Sequence, residues 1–295
     1  MMILALESSA KPASAAIYSD GELIGQYFQN SGLTHSRTLL AMTDALMKNL
    51  DISASELDVI AVSRGPGSFT GVRIGVSAAK GIAWGLDKPV CGVSTLEAMA
   101  CQTPVEGALI CPVMDARRGQ VYNAVFERRK TALVRLCEDR AISLRDLAAD
   151  LRSYFSTQGT LSQIELKEPA FHAKAPSGGS KPVFDPPVPD IEPNATVPES
   201  SAAVPPDPNH VFRVADFQVC LVGDGALLGY KYLSDAGIDC FPAPGLLRYQ
   251  SAFGVALAAA TAIPIPAGEL EPCYLRPSQA ERERRKAAAD QSARE

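Results

Sequence analysis

A chain of 295 residues with 46% hydrophobic content can bury a sizeable core and has the length of two ordinary domains. A net charge of −5 argues against a broad non-specific nucleic-acid surface, though not against a place beside a partner that holds RNA. The seven cysteines are scattered without a C-x-x-C pair, no signal-peptide pattern opens the chain, and no apolar run would span a bilayer. Reduced thiols, a cytoplasmic location and no membrane contact are the expectation.

In chain order, "ILALESS", "SAAIYSD" and "ELIGQYF" read as three strands, with Asp20-Gly21 as a hairpin signal between the last two. The period then changes. Leu39, Met42, Leu46 and Leu50 recur at helical spacing over 34–50, with Leu40 and Met47 beside them and Thr34 as N-cap. "LDVIAVSRG" reads as a buried strand, 71–85 as a helix with Val72, Val76, Ala79 and Ala83 on one stripe, and "KPVCGVST" as a further strand. Residues 1–104 thus form a β-β-β-α-β-α-β unit, a mixed sheet with helices packed on it.

A second unit, 105–277, starts with two strands joined by "DARRGQ". An amphipathic helix "SLRDLAADLRSYF", with Ser143 as cap, follows. Then come a strand, Gly-rich turn and helix in "FQVCLVGDGALLGYKYLSDAG", and the apolar helix "YQSAFGVALAAATAI". These elements match the first unit in kind but not residue by residue. Between Pro169 and Pro208 lie eleven of the 22 prolines, so about 157–213 reads as a disordered or extended insertion in this unit. Residues 278–295 read as a charged tail.

Residues 63–75, "SRGPGSFTGVRIG", admit two readings. Gly65, Gly67 and Gly71 with the Ser68 and Thr70 hydroxyls, at the start of a helix, suit the rim of a phosphate or nucleotide site, to which Ser8 and Ser9 at the end of the first strand would add. In the second reading the glycines only turn and pack the chain, for the loop is neither a Walker A motif nor G-x-G-x-x-G. The helix after it carries Gly71, Gly75, Gly81 and Gly85. An interior glycine costs about 1 kcal/mol against alanine, so a close backbone approach must offset it, either by the protein's own sheet or by a partner's helix.

Catalytic chemistry is thin. The three histidines, His35, His172 and His210, form no i+3 or i+4 pair for a metal, and there is no G-x-S-x-G. No metal site is expected. Glu7 with Ser8 and Ser9 makes a poor metal cage, and Asp115 and Asp224 stand singly at strand ends, where aspartate also serves as a turn former.

The segments "ILALESSAKPASAAI", "GLTHSRTLL", "SRGPGSFTGVRIGVSAAKGIAWG", "STLEAMA", "MDARRGQVY", "VGDGA" and "CYLRPSQAE" resemble, in order, the bacterial tRNA threonylcarbamoyladenosine biosynthesis family TsaB, also called YeaZ, over about 2–128 and 216–283. The resemblance implies an actin-like (ASKHA) α/β fold of two similar lobes, each a mixed sheet flanked by helices. It implies a non-catalytic scaffold in the complex that forms N6-threonylcarbamoyladenosine beside the anticodon, paired with a TsaD-like catalytic subunit and joined by a TsaE-like ATPase, with tRNA bound through the complex. ATP or ADP would sit at an interface, at Ser8, Ser9, Gly65, Gly67, Ser68 and Thr70. The partner face would comprise His35, Leu39, Met42 and Leu46 of one helix with Arg73, Gly75, Ala78, Ala79 and Ile82 of the next. The isolated chain could form a homodimer. The other reading is an autonomous ATP-binding or ATP-hydrolysing enzyme of sugar-kinase-like fold.

Overall fold

The computed structural model describes residues 1–129, 132–156 and 212–276. The expected insertion therefore lies outside the described residues, apart from Phe212 and Arg213, which begin a strand, and so does the tail.

The first sheet holds β1 (Met2–Glu7), β2 (Ala13–Ser19), β3 (Glu22–Gln29), β4 (Val59–Ser63) and β5 (Val90–Val93) in the order β3-β2-β1-β4-β5. β1 pairs antiparallel with β2 and parallel with β4, and β4 runs parallel to β5. Asp20 and Gly21 both take positive φ, 50° and 93°, the turn that the D-G pair predicts. α1 (His35–Asn49) follows β3, α2 (Phe69–Leu86) follows β4, and α3 (Thr95–Cys101) follows β5. Thr34 stands at the N-cap of α1 but makes no side-chain cap bond, whereas Ser68 caps α2 by accepting from the Gly71 amide at 3.3 Å.

The second sheet repeats this plan. β6 (Val105–Asp115), β7 (Gln120–Asn123), β10 (Arg140–Ser143), β11 (Phe212–Val222) and β12 (Cys240–Pro242) lie in the order β10-β7-β6-β11-β12. As in the first sheet, the first three strands of that path are antiparallel and β6, β11 and β12 are parallel. A short hairpin, β8 (Phe126–Arg129) and β9 (Ala132–Arg135), is added on β6. α4 (Leu144–Ser156) follows β10, with Ser143 Oγ accepting from the Asp146 amide, and α5 (Ala226–Asp235) follows β11. α6 (Ala252–Ala259) follows β12. Two lobes with one topology are what the resemblance implies.

The lobes exchange their last helices. Leu96, Met99 and Ala100 of α3 pack in the core of the second sheet, with Ile110, Phe126 and Cys220. Ala252, Val255, Ala256 and Ala259 of α6 pack on Ile3, Ala5, Ala16 and Ala61 of the first. After α6 the chain stays with the first lobe, where Ala267 and Leu270 join the core under α2. The expected unit 105–277 therefore does not close on itself, and the cut at 104/105 is crossed from both sides. A polar clamp adds to the exchange. Ser94 Oγ donates to Asp139 at 2.5 Å, and Arg135 bridges Asp139 at 2.6 Å and Glu97 at 2.8 Å.

Candidate functional site: a cleft and a helical groove

A cleft of about 680 Å³ lies where the strands of both lobes end, lined by Ser9, Lys11, Gly67, Ser68 and Thr70 on one side and Asp115, Arg117 and Asp224 on the other. The loop 65–71 forms part of its wall, yet the glycines of that loop are filled by the protein itself. A Cβ at Gly65, whose φ is +115°, would run into the Cys273 carbonyl. One at Gly67 would meet the Ser9 carbonyl, and one at Gly71 the Ser8 carbonyl. The Ser68 amide donates to Ser9 O at 2.6 Å, and Ser8 Oγ donates to Gly71 O at 2.9 Å. These contacts dock the loop on the turn after β1 and engage the Ser68 amide and the Ser8 hydroxyl. Of the six residues expected to hold nucleotide, Ser9, Gly67, Ser68 and Thr70 line the cleft, while Ser8 and Gly65 serve internal packing. "VGDGA" behaves alike, for a Cβ at Gly223 would strike the Val113 carbonyl.

Asp224 opens to the cleft and accepts from Gln250 Nε2 at 3.2 Å, and its pKa is raised, first by desolvation and further by Asp115. Among the described residues, no three of the His, Cys, Asp and Glu side chains come together as metal ligands. All seven cysteines are free, and burial pushes Cys111 and Cys220 up to about 12, so their thiols stay protonated and unreactive.

A second concave face runs between α1 and α2. One part, about 570 Å³, is lined by His35, Leu39, Leu40, Phe69, Arg73 and Ala78 among others. The next, about 510 Å³, is lined by Leu40, Met47, Gly81, Ile82, Gly85 and Leu86 among others. Leu40, which lines both parts, is 52% exposed. Isolated exposed apolar residues are ordinary, and the two parts of this face share Leu40.

The expected partner face needs a correction here. Leu39, Met42, Leu46, Gly75 and Ala79 point inward and are buried in or against the first core. Returning a buried leucine to water costs about 1.5–3 kcal/mol, so these side chains belong to the fold. A Cβ at Gly75 would lie 2.5 Å from Ser8 Oγ and 3.2 Å from Val62 Cγ2. His35, Arg73, Ala78 and Ile82 do line the groove, and so does Leu39 from its largely buried position. The residues that reasoning from sequence missed are Leu40, Ser77, Gly81 and Gly85, and a Cβ at Gly81 or Gly85 would meet open space.

Arg73 is fixed at the border of groove and cleft. Its guanidinium lies 3.8 Å from the Phe69 ring centre, and its Nε donates to Tyr274 Oη at 2.7 Å. The segment carrying Tyr274 is tied to both lobes, because the Cys273 amide donates to Arg64 O at 2.6 Å and Arg276 Nη1 donates to Ala116 O at 2.6 Å.

The family model for TsaD, tRNA N6-adenosine threonylcarbamoyltransferase, matches residues 29–181 of the chain. The tRNA threonylcarbamoyladenosine biosynthesis protein TsaB of Bacillus subtilis is 36% identical over 146 residues, covering 50% of this chain and 64% of that protein. TsaB of Escherichia coli is 36% identical over 135 residues, covering 45% and 58%. The chain belongs to this family, in its TsaB (YeaZ) branch. It spans less than two thirds of the length of these TsaB relatives. A solved Pseudomonas aeruginosa protein described as similar to peptidase YeaZ superposes with a TM-score of 0.60 at 21% identity, over 93% of this chain and 99% of that one. YeaZ of the same organism superposes with a TM-score of 0.59. At that identity the likeness speaks to fold, and it is the two-lobed arrangement described above. Among the described residues no helix is long and apolar enough to cross a membrane.

Proposed function

We propose that the chain is the scaffold subunit of the machinery that places a threonylcarbamoyl group on tRNA adenosine. In this reading the α1–α2 groove docks a TsaD-like catalytic subunit, a TsaE-like ATPase joins the pair, and tRNA is met through the complex. The observation that carries it is the contrast of the two concave faces. The cleft's glycines are filled by the chain's own carbonyls, whereas the glycines of the groove, Gly81 and Gly85, face open space. Small residues on a helix let another helix approach closely, and Leu40 supplies apolar area that such an approach would bury. Nucleotide, ATP or ADP, belongs in this reading at the border of cleft and partner, near Ser9, Ser68 and Thr70, with no catalytic role for this chain.

The test is reconstitution. The purified chain with a TsaD-like subunit and a TsaE-like ATPase should support threonylcarbamoylation of tRNA, and omitting the chain should abolish it. The opposing reading, an autonomous ATP-hydrolysing enzyme, draws on Asp115 and Asp224 facing the same cleft. ATP turnover by the chain alone that is lost in Asp224→Asn would establish that reading and overturn the scaffold.

A further inference from the structure

After Leu270 the chain leaves the first core and runs as a strap past both concave faces. Up to that point it is held firmly. Ile265 and Val90 exchange backbone hydrogen bonds of 2.8 and 2.9 Å, Ala267 and Leu270 sit in the core, and Lys80 of α2 donates to the Leu270 carbonyl at 3.1 Å. Cys273, Tyr274, Leu275 and Arg276 then form part of the cleft wall. The Cys273 amide ties the strap to Arg64 of the first lobe, and the Arg276 guanidinium ties it to Ala116 of the second. Ala116 opens the turn 116–119 between β6 and β7, in which Arg117, Arg118 and Gly119 all take positive φ and the Arg117 amide donates to Asp115 Oδ1 at 2.7 Å.

Between these two ties stands Tyr274. Its ring packs on Phe69, with centres 4.9 Å apart, and its hydroxyl accepts from Arg73 Nε at 2.7 Å. Tyr274 lines the cleft, Arg73 lines the groove and Phe69 lines both, so the three side chains form a partition between the two faces. Phe69 and Tyr274 fix the pose of the guanidinium, and among the described residues Arg73 joins no ion pair. Its two Nη groups are in reach of an occupant of the groove, and a carboxylate is the group that suits them. The strap itself is lightly held. Tyr274 is 41% exposed and Arg276 half-buried, whereas α3 and α6, which also join the lobes, lie in the cores. A segment kept in place by a few accessible hydrogen bonds opens at low cost.

We propose that residues 271–276 are a latch across the cleft that docking in the groove closes. A carboxylate of the docked subunit binds Arg73 in the pose that Tyr274 holds, and so binds the latched state better than the open one. That differential affinity is what shifts the population. With Arg73 pinned, Tyr274 is pinned, and through Arg276 the turn 116–119, which carries the cleft residues Ala116 and Arg117, is held as well. The coupling is reciprocal, so a ligand that needs the closed cleft strengthens docking by the same factor. The inference rests on the groove being the partner face.

The experiment is amide hydrogen exchange of the full chain, with and without a TsaD-like subunit, read by mass spectrometry on peptides from α1 and α2, the strap and the turn 116–119. No residue of that turn lines the groove, so direct cover by the docked subunit does not account for a change there. In the parent, docking should slow exchange at α1 and α2 and, by about tenfold, at the strap and the turn. Arg276→Ala removes the tie to Ala116 and leaves the groove intact, so docking should still slow the strap but no longer the turn. In Tyr274→Phe, docking should slow α1 and α2 alone. Unchanged exchange at β1 and β4 in the free variants shows that both fold. A turn that does not respond to docking in the parent overturns the latch, and so does a turn slowed equally in parent and Arg276→Ala. If no TsaD-like subunit binds, the groove reading fails by itself. The free chain then decides the latch: Tyr274→Phe should speed exchange at strap and turn together, and an unchanged turn overturns it.

Discussion

The two halves of α2 carry the same residue for opposite reasons. Gly71 and Gly75, in its first two turns, are filled by the turn after β1, where a Cβ would meet Ser8. Gly81 and Gly85, two turns on, would point a Cβ into open space. In the first half a missing side chain lets two parts of one chain touch. In the second it leaves a shallow floor beside Leu40. An interior glycine costs about 1 kcal/mol wherever it stands. The first pair is compensated inside the fold, and the second pair stays uncompensated until something covers it.

Substitutions in the two halves should therefore separate folding from docking. The largest effect belongs to Gly75→Leu. Four added carbons must displace Ser8 and Val62, and overpacking of this kind costs about 3 kcal/mol. For a chain of this size that lowers the melting temperature by roughly 6–12 °C, as thermal denaturation followed by circular dichroism would register. An unchanged melt would mean that this half of α2 does not pack as described.

Gly81→Leu should do the reverse. The monomer should melt at the same temperature or slightly higher, by up to about 1 kcal/mol, because a helix interior gains from losing glycine. Affinity for a TsaD-like subunit should fall by about tenfold or more, since the side chain holds the partner off at a cost of about 1–3 kcal/mol. Paired melting and calorimetric binding on the one variant would show both signs. Smallest is Ser68→Ala, which removes the cap of α2 and should cost about 1 kcal/mol of stability. It should leave the groove's affinity within about twofold, because Ser68 belongs to the cleft wall and not to the groove.

Much of this fold was legible in the sequence. The D-G turn, the core stripes Leu39-Met42-Leu46 and Val72-Val76-Ala79-Ala83, the five strands of the first sheet and β6, β7 and β11 of the second follow from period and turn chemistry, whereas the short β10 and β12 were not read. α3 was not separately visible. Its seven residues are too short for a periodic signal, and its burial comes from the other lobe, a tertiary fact. The β8–β9 hairpin escaped for a related reason, because its strands have four residues each and show only partial burial. The candidate face was half legible. Periodicity finds the stripe that is buried, and here that stripe faces the sheet. A glycine's purpose was not legible at all, because Gly75 and Gly81 look alike until the position of Ser8 is known.

The most direct test of the central contrast is tRNA threonylcarbamoylation reconstituted with Leu40→Asp in place of the parent chain. Leu40 is 52% exposed and lines both parts of the groove, so an aspartate there should leave the melt unchanged. Burying that charge against an apolar partner surface should cost several kcal/mol, enough to abolish both docking and modification. Full modification by a normally folded Leu40→Asp chain would contradict the assignment of the α1–α2 groove.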